Sequence, residues 1–236
     1  MEISDGIILI QESLWIEKEK ALIISDLHLG YEDHLHHKGI FLPKFQIKTI
    51  LSGLELILQK VRPRHIIING DLKHEFGRIS EQEWKDILTL IDLLLKHCPN
   101  IILIQGNHDS ILRPIATKRN LNLVRQYSLN DTLIIHGDEI VETECKRIII
   151  GHEHPAISLR EKSKVEKYKC FLKGSWKRKE LIALPSFNPL VEGTNILQAK
   201  FLSPFLTKIS NFEVFIVGKR EVYNFGKVKD IQKQQE

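Results

Sequence analysis

The sequence predicts an α/β fold whose first half contains a largely parallel sheet. Three short apolar runs rich in isoleucine, residues 21–25, 66–69 and 101–105, alternate with segments of helical periodicity. Runs of this length and composition are typical of strands buried on both faces. Strand–helix–strand order implies right-handed crossovers between parallel strands. Each run ends at polar residues, at the edge of the sheet where such folds bind their ligands.

Two segments between these runs have the spacing of amphipathic helices. Residues 45–61 carry apolar side chains at intervals of three and four until Pro63 ends the segment. In the second segment, Ser80 and Glu83 form the pattern of a capping box, and the apolar stripe continues to Pro99. These segments supply the crossovers that the parallel sheet requires.

Two further apolar runs, residues 132–135 and 148–150, indicate strands in the second half of the chain. Strands follow each other more closely after about residue 130 than before it. We therefore expect antiparallel pairing or a second sheet in this part.

The composition fits one globular domain over residues 1–236, with 160–236 as its basic C-terminal part. A hydrophobic content of 42% and a charged content of 27% argue against disorder. No apolar run approaches the ~20 residues of a membrane-spanning helix, and residues 1–5 contain no basic signal-peptide region. The three cysteines are far apart and form no CxxC pair. We expect a cytoplasmic protein without a membrane partner.

The charge is unevenly distributed along the chain. Residues 160–236 contain 16 Lys and Arg against 8 Asp and Glu, giving +8, whereas residues 1–159 contain 18 against 22, giving −4. A basic final third attracts polyanions such as nucleic acid. A lysine-rich solvated surface is an equally good interpretation, so charge alone does not choose the partner.

Side chains that ligate metals follow five of the predicted strands. They are Asp26, His28, Asp71, Asn107, His136, His152 and His154. Carboxylate, amide and imidazole donors suit Mn²⁺, Fe or Zn²⁺, and no thiolate competes for a softer ion. In an extended segment, the i, i+2 spacing of Asp26 with His28 and of His152 with His154 would point both side chains to one face.

Each of these pieces has a simpler explanation when it is taken alone. An isolated Asp-x-His or Gly-Asp at a strand end is more often a turn or a helix cap, and Asn107-His108-Asp109 has the composition of a turn. Five such pieces at five consecutive strand ends favour one shared metal site.

The motifs resemble, in order and spacing, those of calcineurin-like metallophosphoesterases. They are Asp26-Leu27-His28, Gly70-Asp71, Gly106-Asn107-His108-Asp109, His136-Gly137 and Gly151-His152-Glu153-His154. The segments around Asp26 and Asp71, together with Phe187-Asn188-Pro189-Leu190, are similar to the small archaeal and bacterial branch related to the SbcD nuclease subunit.

The resemblance implies a four-layer αββα sandwich with mixed sheets and a pair of divalent cations. Mn²⁺ is the expected ion, with Fe or Zn²⁺ as alternatives. One cation would be bound by Asp26, His28 and His154, the other by Asn107, His136 and His152, with Asp71 bridging them. An anion between two dications ~3.5–4 Å apart offsets their repulsion, and the pair generates hydroxide for in-line attack on phosphorus.

The resemblance also implies roles for residues beside the ligands. His108 would protonate the leaving-group oxygen as a general acid, and Asp109 would orient and charge-stabilise His108. The alternative for His108 is a surface histidine in a turn. His74, three residues beyond Asp71, is a candidate for supporting a ligand or contacting the substrate.

Two other groups of residues invite a functional interpretation. His34, His36 and His37 lack neighbours that would complete a coordination sphere, so a polar loop or helix start is expected. The basic segment 160–179 interleaves aromatic residues with arginine and with lysines from Lys162 to Lys179. It predicts either a hairpin that binds a single strand by charge and stacking or a solvated edge strand protected by lysines.

The expected substrate is a phosphodiester, including DNA, RNA or a nucleotide. In the protein Ser/Thr phosphatase branch an arginine follows the bridging aspartate and clamps a dianionic monoester, whereas Leu72 and Lys73 follow Asp71 here. A phosphomonoesterase is the alternative, and a non-catalytic nucleic-acid- or protein-binding module is the alternative of another class. The presence of all seven donors favours an enzyme. The sequence indicates no particular oligomeric state and no particular helicase or ligase partner.

Overall fold

A computed structural model describes residues 1–161, 164–198 and 200–235, and Lys162 of the basic segment lies outside these ranges. Within them, the helices are α1 (Tyr31–His37), α2 (Gln46–Leu58), α3 (Glu81–His97), α4 (Arg113–Lys118) and α5 (Val228–Gln235). The strands of the first sheet are, in spatial order, β1 (Glu2–Ser4), β2 (Ile7–Ile10), β3 (Ser13–Ile16), β4 (Ala21–Ser25), β5 (His65–Asn69), β6 (Ile101–Ile104) and β7 (Asn122–Val124).

The second sheet is built from the remaining strands. In spatial order they are β14 (Thr194–Asn195), β11 (Pro155–Glu161), β12 (Lys164–Trp176), β13 (Lys179–Ala183), β10 (Arg147–Ile150), β9 (Thr132–Ile135) and β8 (Gln126–Leu129). Two further strands, β15 (Glu213–Val217) and β16 (Val222–Lys227), extend it because β15 pairs with β12 and β16 pairs with β15.

The first sheet is parallel where the sequence predicts it to be. Strands β4, β5, β6 and β7 pair in parallel, with α2 and α3 in the crossovers. Strands β1 to β3 precede them as an antiparallel meander that joins the sheet through β4. This meander was not predicted from the sequence.

The second half of the chain confirms both expectations for it, since it forms a second sheet that includes antiparallel pairs. Strands β9, β10 and β13 are parallel to one another, while β12 is antiparallel to β11, β13 and β15. The expected hairpin in segment 160–179 forms from β11 and β12. Leu172 and Lys173 pair with both β13 and β15, whereas residues 164–169 pair with β11. The interpretation as an edge strand is therefore wrong only for the part of β12 that lies inside the sheet.

Both predicted helices form close to their expected limits. Helix α3 begins with the predicted capping box: the Ser80 side chain accepts from the Glu83 amide at 3.1 Å, and the Glu83 carboxylate accepts from the Ser80 amide at 2.8 Å. The predicted polar loop or helix start at His34, His36 and His37 lies in the short helix α1. Within the described ranges, none of the helices combines the length and the apolar character needed to cross a lipid bilayer.

Buried side chains stack the molecule into four layers, which confirms the expected sandwich. Ile23, Ile67, Ile149, Phe171 and Ile182 belong to the core between the two sheets. The outer face of the first sheet packs against α2, α3 and α4. Alternate faces of the same strands therefore serve two different cores.

The fourth layer, on the outer face of the second sheet, is less helical than the resemblance implies. It consists of α5 and a segment at 200–212 that is largely without regular secondary structure. Phe205, Leu206, Ile209, Phe212 and Ile231 bury their side chains there. Apolar anchors from an irregular segment thus cover a face that a helix would otherwise cover.

Phe171 joins the two sheets and is fully buried in the core between them. We expect Phe171→Ala to lower the free energy of unfolding by about 3–5 kcal/mol, because a large side chain would be replaced by a cavity. Urea denaturation followed by circular dichroism measures this. The control is Phe41→Ala, whose side chain is 82% exposed and whose effect should stay within about 0.5 kcal/mol. Equal effects of the two changes would contradict the proposed packing.

Candidate metal centre

The carboxyl ends of five strands meet at one edge of the sandwich and bring the seven predicted donors together. Strands β4, β5 and β6 come from the first sheet, and β9 and β10 come from the second. The first group of side chains contains Asp26, His28, Asp71 and His154, whose candidate ligand atoms all lie within 4.8 Å of one another. The centre therefore lies between the two sheets.

In the first group, the atoms that could donate a lone pair to a cation lie close together. The Nε2 atoms of His28 and His154 lie 3.3 Å apart. The Nε2 of His154 lies 3.2 Å from Asp26 Oδ1, and the Nε2 of His28 lies 3.5 Å from Asp71 Oδ2.

The second group surrounds the Nε2 atom of His136. This atom lies 3.0 Å from Asn107 Oδ1, 3.2 Å from His152 Nδ1 and 3.4 Å from Asp71 Oδ2. Asp71 Oδ2 is thus the atom that both groups share.

The donor set fits divalent cations better than it fits hydrogen bonds within the protein. A ring nitrogen of histidine carries at most one hydrogen, yet His136 Nε2 faces two oxygens and a ring nitrogen. A cation among these atoms would satisfy all their lone pairs at once. Oxygen and imidazole donors are those that Mn²⁺, Fe and Zn²⁺ accept.

The segments that carry the candidate ligands adopt left-handed backbone conformations. The residues of each i, i+2 pair do converge on the cluster, but the extended conformation expected for them is wrong. The angle φ is 56° at Asp26, 43° at His28, 45° at Asp71, 62° at His152 and 48° at His154. Such conformations cost of order 1–3 kcal/mol each and persist only where the surroundings enforce them.

Three buried polar side chains hold the backbone of Asp26 and His28 in these conformations. Ser186 Oγ donates to the carbonyl of Asp26 at 2.6 Å. The carbonyl of His28 accepts from Gln46 Nε2 at 2.8 Å and from Asn188 Nδ2 at 3.3 Å. In the sequence, Asn188 stands out only as part of a motif, and Gln46 and Ser186 belong to no recognisable pattern.

Two motif glycines are required by the closeness of the ligands. A Cβ on Gly106 would overlap Asp71 Oδ1, and a Cβ on Gly70 would overlap the ring of His136. These glycines therefore let Asp71 and His136 approach the backbone of neighbouring strand ends.

The electrostatics of the cluster keep its carboxylates ionised. Burial alone would raise the pKa of Asp71, but the hydrogen bond and charge of His136 outweigh it and hold that pKa well below its usual range. Burial opposes the charge of His136 as well, yet Asp71 and Asp26 raise its pKa to about 9. Burial and the neighbouring His154 lower the pKa of His28 to about 3, which keeps its ring neutral.

His108 lies at the mouth of this cluster. Its amide donates to Asp71 Oδ1 at 3.0 Å, and its Nδ1 lies 2.5 Å from the carbonyl oxygen of His74. Its Nε2 lies 3.9 Å from Asp71 Oδ2. Since Nδ1 is engaged by a carbonyl, Nε2 is the ring nitrogen directed at the cluster.

Asp109 does not make the predicted contact with His108. Its buried carboxylate accepts from the backbone amides of Gly106, Leu72 and Lys73, at 3.0, 3.2 and 3.3 Å. Burial and the charge of Asp71 raise the pKa of Asp109 to about 7. Asp109 therefore holds the loop after β6 against the loop after β5. The carbonyl of His74, and not the carboxylate of Asp109, is the group that orients the ring of His108.

His74 lies behind the candidate ligand His28, and the Nδ1 atoms of the two rings are 3.3 Å apart. Burial and the nearby His34 and His108 lower the pKa of His74 to about 3, so its ring is neutral and its Nδ1 can accept. The ring of His34 packs 4.6 Å from that of His74. The sequence does not connect His34 with the metal centre; its position in the fold places it against His74.

The two acidic residues between the ligands differ in their surroundings. Glu153 is buried and accepts from the amides of Leu202 and Ser203 at 2.7 and 2.9 Å, whereas Asp138 is exposed. Glu153 thereby attaches the irregular outer layer to the segment that carries His152 and His154.

Several cations of segment 160–179 are bound within the protein. Lys169 Nζ donates to the carbonyls of Ser186, at 2.8 Å, and Asn188. Lys173 donates to the carbonyl of Ile3, and Lys179 donates to that of Cys145 at 3.1 Å. These contacts weaken the prediction that the segment binds a nucleic-acid strand.

The fold and the site define a two-sheet α/β sandwich with a cluster of histidine, aspartate and asparagine donors at one edge. The chain belongs to the calcineurin-like phosphoesterase family, whose model matches residues 20–218. The family and the cluster together indicate a dinuclear divalent metal site and a hydrolase of phosphate esters. The narrower SbcD-related branch stays a prediction.

Two solved structures are similar to this chain. A nuclease MPE of Pseudomonas putida is similar with a TM-score of 0.63 and 19% identity, covering 91% of each chain. YfcE, a phosphoesterase from E. coli, is similar with a TM-score of 0.43 and 13% identity over 88% of this chain and 98% of that one. No curated protein matches the sequence.

Lys169 supports the loop of Asp26 and His28 indirectly. It binds the carbonyls of Ser186 and Asn188, and the side chains of these two residues bind the carbonyls of Asp26 and His28. We expect Lys169→Met to lower the free energy of unfolding by about 1–3 kcal/mol at pH 7, since buried acceptors would lose their donor. The control is Lys48→Met on the exposed face of α2, which should have little effect.

The Lys169→Met difference should also grow with pH. Burial lowers the pKa of Lys169 from 10.5 to about 8. The cost of burying the ammonium group is fully present below pH 8 and declines as pH rises toward 10.5, where the unfolded chain binds more protons than the folded one. Only the wild-type protein gains this stability. Urea denaturation at pH 7 and pH 9.5 tests it, and a difference that shrinks at pH 9.5 would contradict it.

Proposed function

We propose that this chain is a dinuclear metal-dependent phosphoesterase that hydrolyses a phosphodiester. The observation that carries the proposal is the convergence of seven donor side chains around Asp71 Oδ2. One cation would be held by Asp26, His28 and His154 and the other by Asn107, His136 and His152. Asp71 would bridge the pair.

The grouping of distances supports this division of ligands. Asp71 Oδ2 is 3.5 Å from His28 in the first group and 3.4 Å from His136 in the second. A shared carboxylate offsets the repulsion of two dications ~3.5–4 Å apart. We propose Mn²⁺ as the ion, with Fe or Zn²⁺ as alternatives.

When bound, the cations would activate water for attack on phosphorus and neutralise charge on the phosphoryl oxygens. His108 would then protonate the leaving-group oxygen through Nε2. The support is geometric: the carbonyl of His74 engages Nδ1, so Nε2 faces the cluster. His74 would keep His28 in the correct tautomer by accepting its Nδ1 hydrogen. Asp109 would act by holding the loop that carries Asn107 and His108.

The loop after Asp71 favours a diester over a monoester. Leu72 is buried in the core against the helices, and the buried Lys73 donates to the carbonyl of Glu75. Neither side chain is placed to clamp a dianionic phosphate. The nuclease named above shares the fold, which agrees with DNA, RNA or a nucleotide as substrate.

We also propose a cytoplasmic location and a single domain, and the thiols and the packing of the chain support these two proposals. Cys98, Cys145 and Cys170 are free thiols, in keeping with a cytoplasmic location. The core between the two sheets draws on strands from both halves of the chain, in keeping with one domain over residues 1–236.

Metal analysis of the purified protein, combined with a hydrolysis screen, tests the proposal. We expect two divalent cations per chain, and fewer in Asp71→Asn, with the exposed Asp138→Asn as the matched control. With Mn²⁺, bis-p-nitrophenyl phosphate should be cleaved faster than p-nitrophenyl phosphate.

The outcomes of this screen separate the alternatives. Good cleavage of aryl monoesters without cleavage of any diester or oligonucleotide would favour the phosphomonoesterase. A protein that binds both cations and hydrolyses neither class of ester would favour the non-catalytic binding module.

His108→Ala is expected to retain the metal content of the wild-type protein, because His108 is not among the proposed ligands. Loss of a general acid should reduce kcat for a diester by at least about a hundredfold. The control is His97→Ala, an exposed residue at the end of α3. Unchanged turnover of His108→Ala would remove this residue from the mechanism.

A further inference from the structure

An exposed phenylalanine covers the proposed general acid. The ring of Phe76 lies 3.7 Å from the ring of His108, centroid to centroid, with 35° between their planes. Even so, Phe76 is 60% exposed. A phenylalanine that only fixed the position of His108 would be expected to bury both of its faces, because exposing an aromatic ring forfeits the free energy of burial.

The ring of Phe76 belongs to a larger set of rings beside the metal centre. The ring of His74 stacks on that of His108 at 5.4 Å and 25°. Tyr31 and His34 pack against His74 at 4.8 and 4.6 Å. The wall of the site on the side of His108 is therefore aromatic, and Phe76 is the member with most of its surface in solvent.

This aromatic wall lies on the side of the site where the leaving group of the substrate would be. His108 is proposed to protonate the leaving-group oxygen, so whatever is attached to that oxygen lies beside His108 and Phe76. An exposed aromatic face next to a departing group suits a flat, apolar and uncharged surface. The bases of a nucleic acid offer such a surface, and stacking tolerates every base because each has a π-face.

We propose that Phe76 is a specificity-determining residue that stacks on the base of the leaving nucleoside. The inference rests on the proposed function, because it takes His108 to mark the leaving-group side. A base in a duplex is already stacked and paired, so its faces are not free to meet Phe76. The site therefore selects phosphodiesters of single-stranded nucleic acid or of nucleotides.

Dinucleoside monophosphates with one abasic residue test this directly. One substrate carries two thymines, and two others carry a tetrahydrofuran in place of the 5′ or the 3′ nucleoside. With Mn²⁺, wild-type kcat/KM should fall at least about fivefold for the substrate whose leaving nucleoside is abasic, the low end of the effect of base stacking. The other abasic substrate should show a smaller loss.

Phe76→Leu keeps an apolar side chain without an aromatic face. We expect the ratio of kcat/KM between base-containing and leaving-side abasic substrates to fall toward one in this variant, and Phe76→Trp to keep or increase it. The matched control is Phe225→Leu on β16, whose ring is 45% exposed and whose loss should leave the ratio at its wild-type value.

The possible failures are distinguishable. If wild type cleaves all three dinucleotides equally, or if Phe76→Leu keeps the wild-type ratio, the stacking role is wrong while the phosphodiesterase proposal stands. If Phe76→Leu slows all three substrates equally, Phe76 serves only to hold His108, and the specificity role is again overturned. If wild type with bound metal cleaves no diester, the proposed function fails and the inference fails with it.

Discussion

The position of the Asp71 carboxylate is the constraint on which the rest of the site depends. Its Oδ2 atom lies within 3.5 Å of ring nitrogens from both groups of donors, and its Oδ1 accepts from the amide of His108. That position requires a left-handed residue at the end of β5 and a glycine at position 106, where a side chain would overlap the carboxylate. The proposed metal ligands, the proposed general acid and the geometry of their loops are therefore coupled through one side chain.

The sequence was sufficient to find the donors because their location follows from a simple rule. Short isoleucine-rich strands are recognisable by composition, and parallel strands present their carboxyl ends at one edge. The seven donors could thus be assigned to one place before any distance was known. The capping box of α3 was equally accessible because Ser80 and Glu83 are three residues apart.

The hydrogen-bond partners of these residues could not be predicted from the sequence in the same way. Asp109 adjoins His108 in sequence, yet its carboxylate turns toward three backbone amides. Lys169 reads as a surface cation in a basic run, yet it binds the carbonyls of Ser186 and Asn188. Gln46 and Ser186 contact the ligand loop from segments 18 and 160 residues away. Such contacts depend on packing between distant segments, which periodicity and motif spacing do not describe.

The left-handed ligand residues explain why so many of these unpredicted partners are polar and buried. A strained backbone conformation persists only if its surroundings remove the alternatives. Carbonyls of Asp26 and His28 are therefore fixed by side chains, and the amide of His152 donates to Asp26 Oδ2 at 3.1 Å. The same hydrogen bonds that satisfy buried groups also place the ligands.

The metal centre also depends on the alignment of the two sheets, because each sheet supplies part of the donors. The first sheet contributes Asp26, His28, Asp71 and Asn107, and the second contributes the remaining three histidines. Asn69, the last residue of β5, is buried and donates from Nδ2 to the carbonyl of Ile135, the last residue of β9, at 3.0 Å. This bond fixes the two sheets to each other two residues before Asp71 and one residue before His136, which would share a cation. Because a slide of one sheet would separate both donor groups, the apolar core between the sheets is as necessary to the metal centre as the ligands themselves.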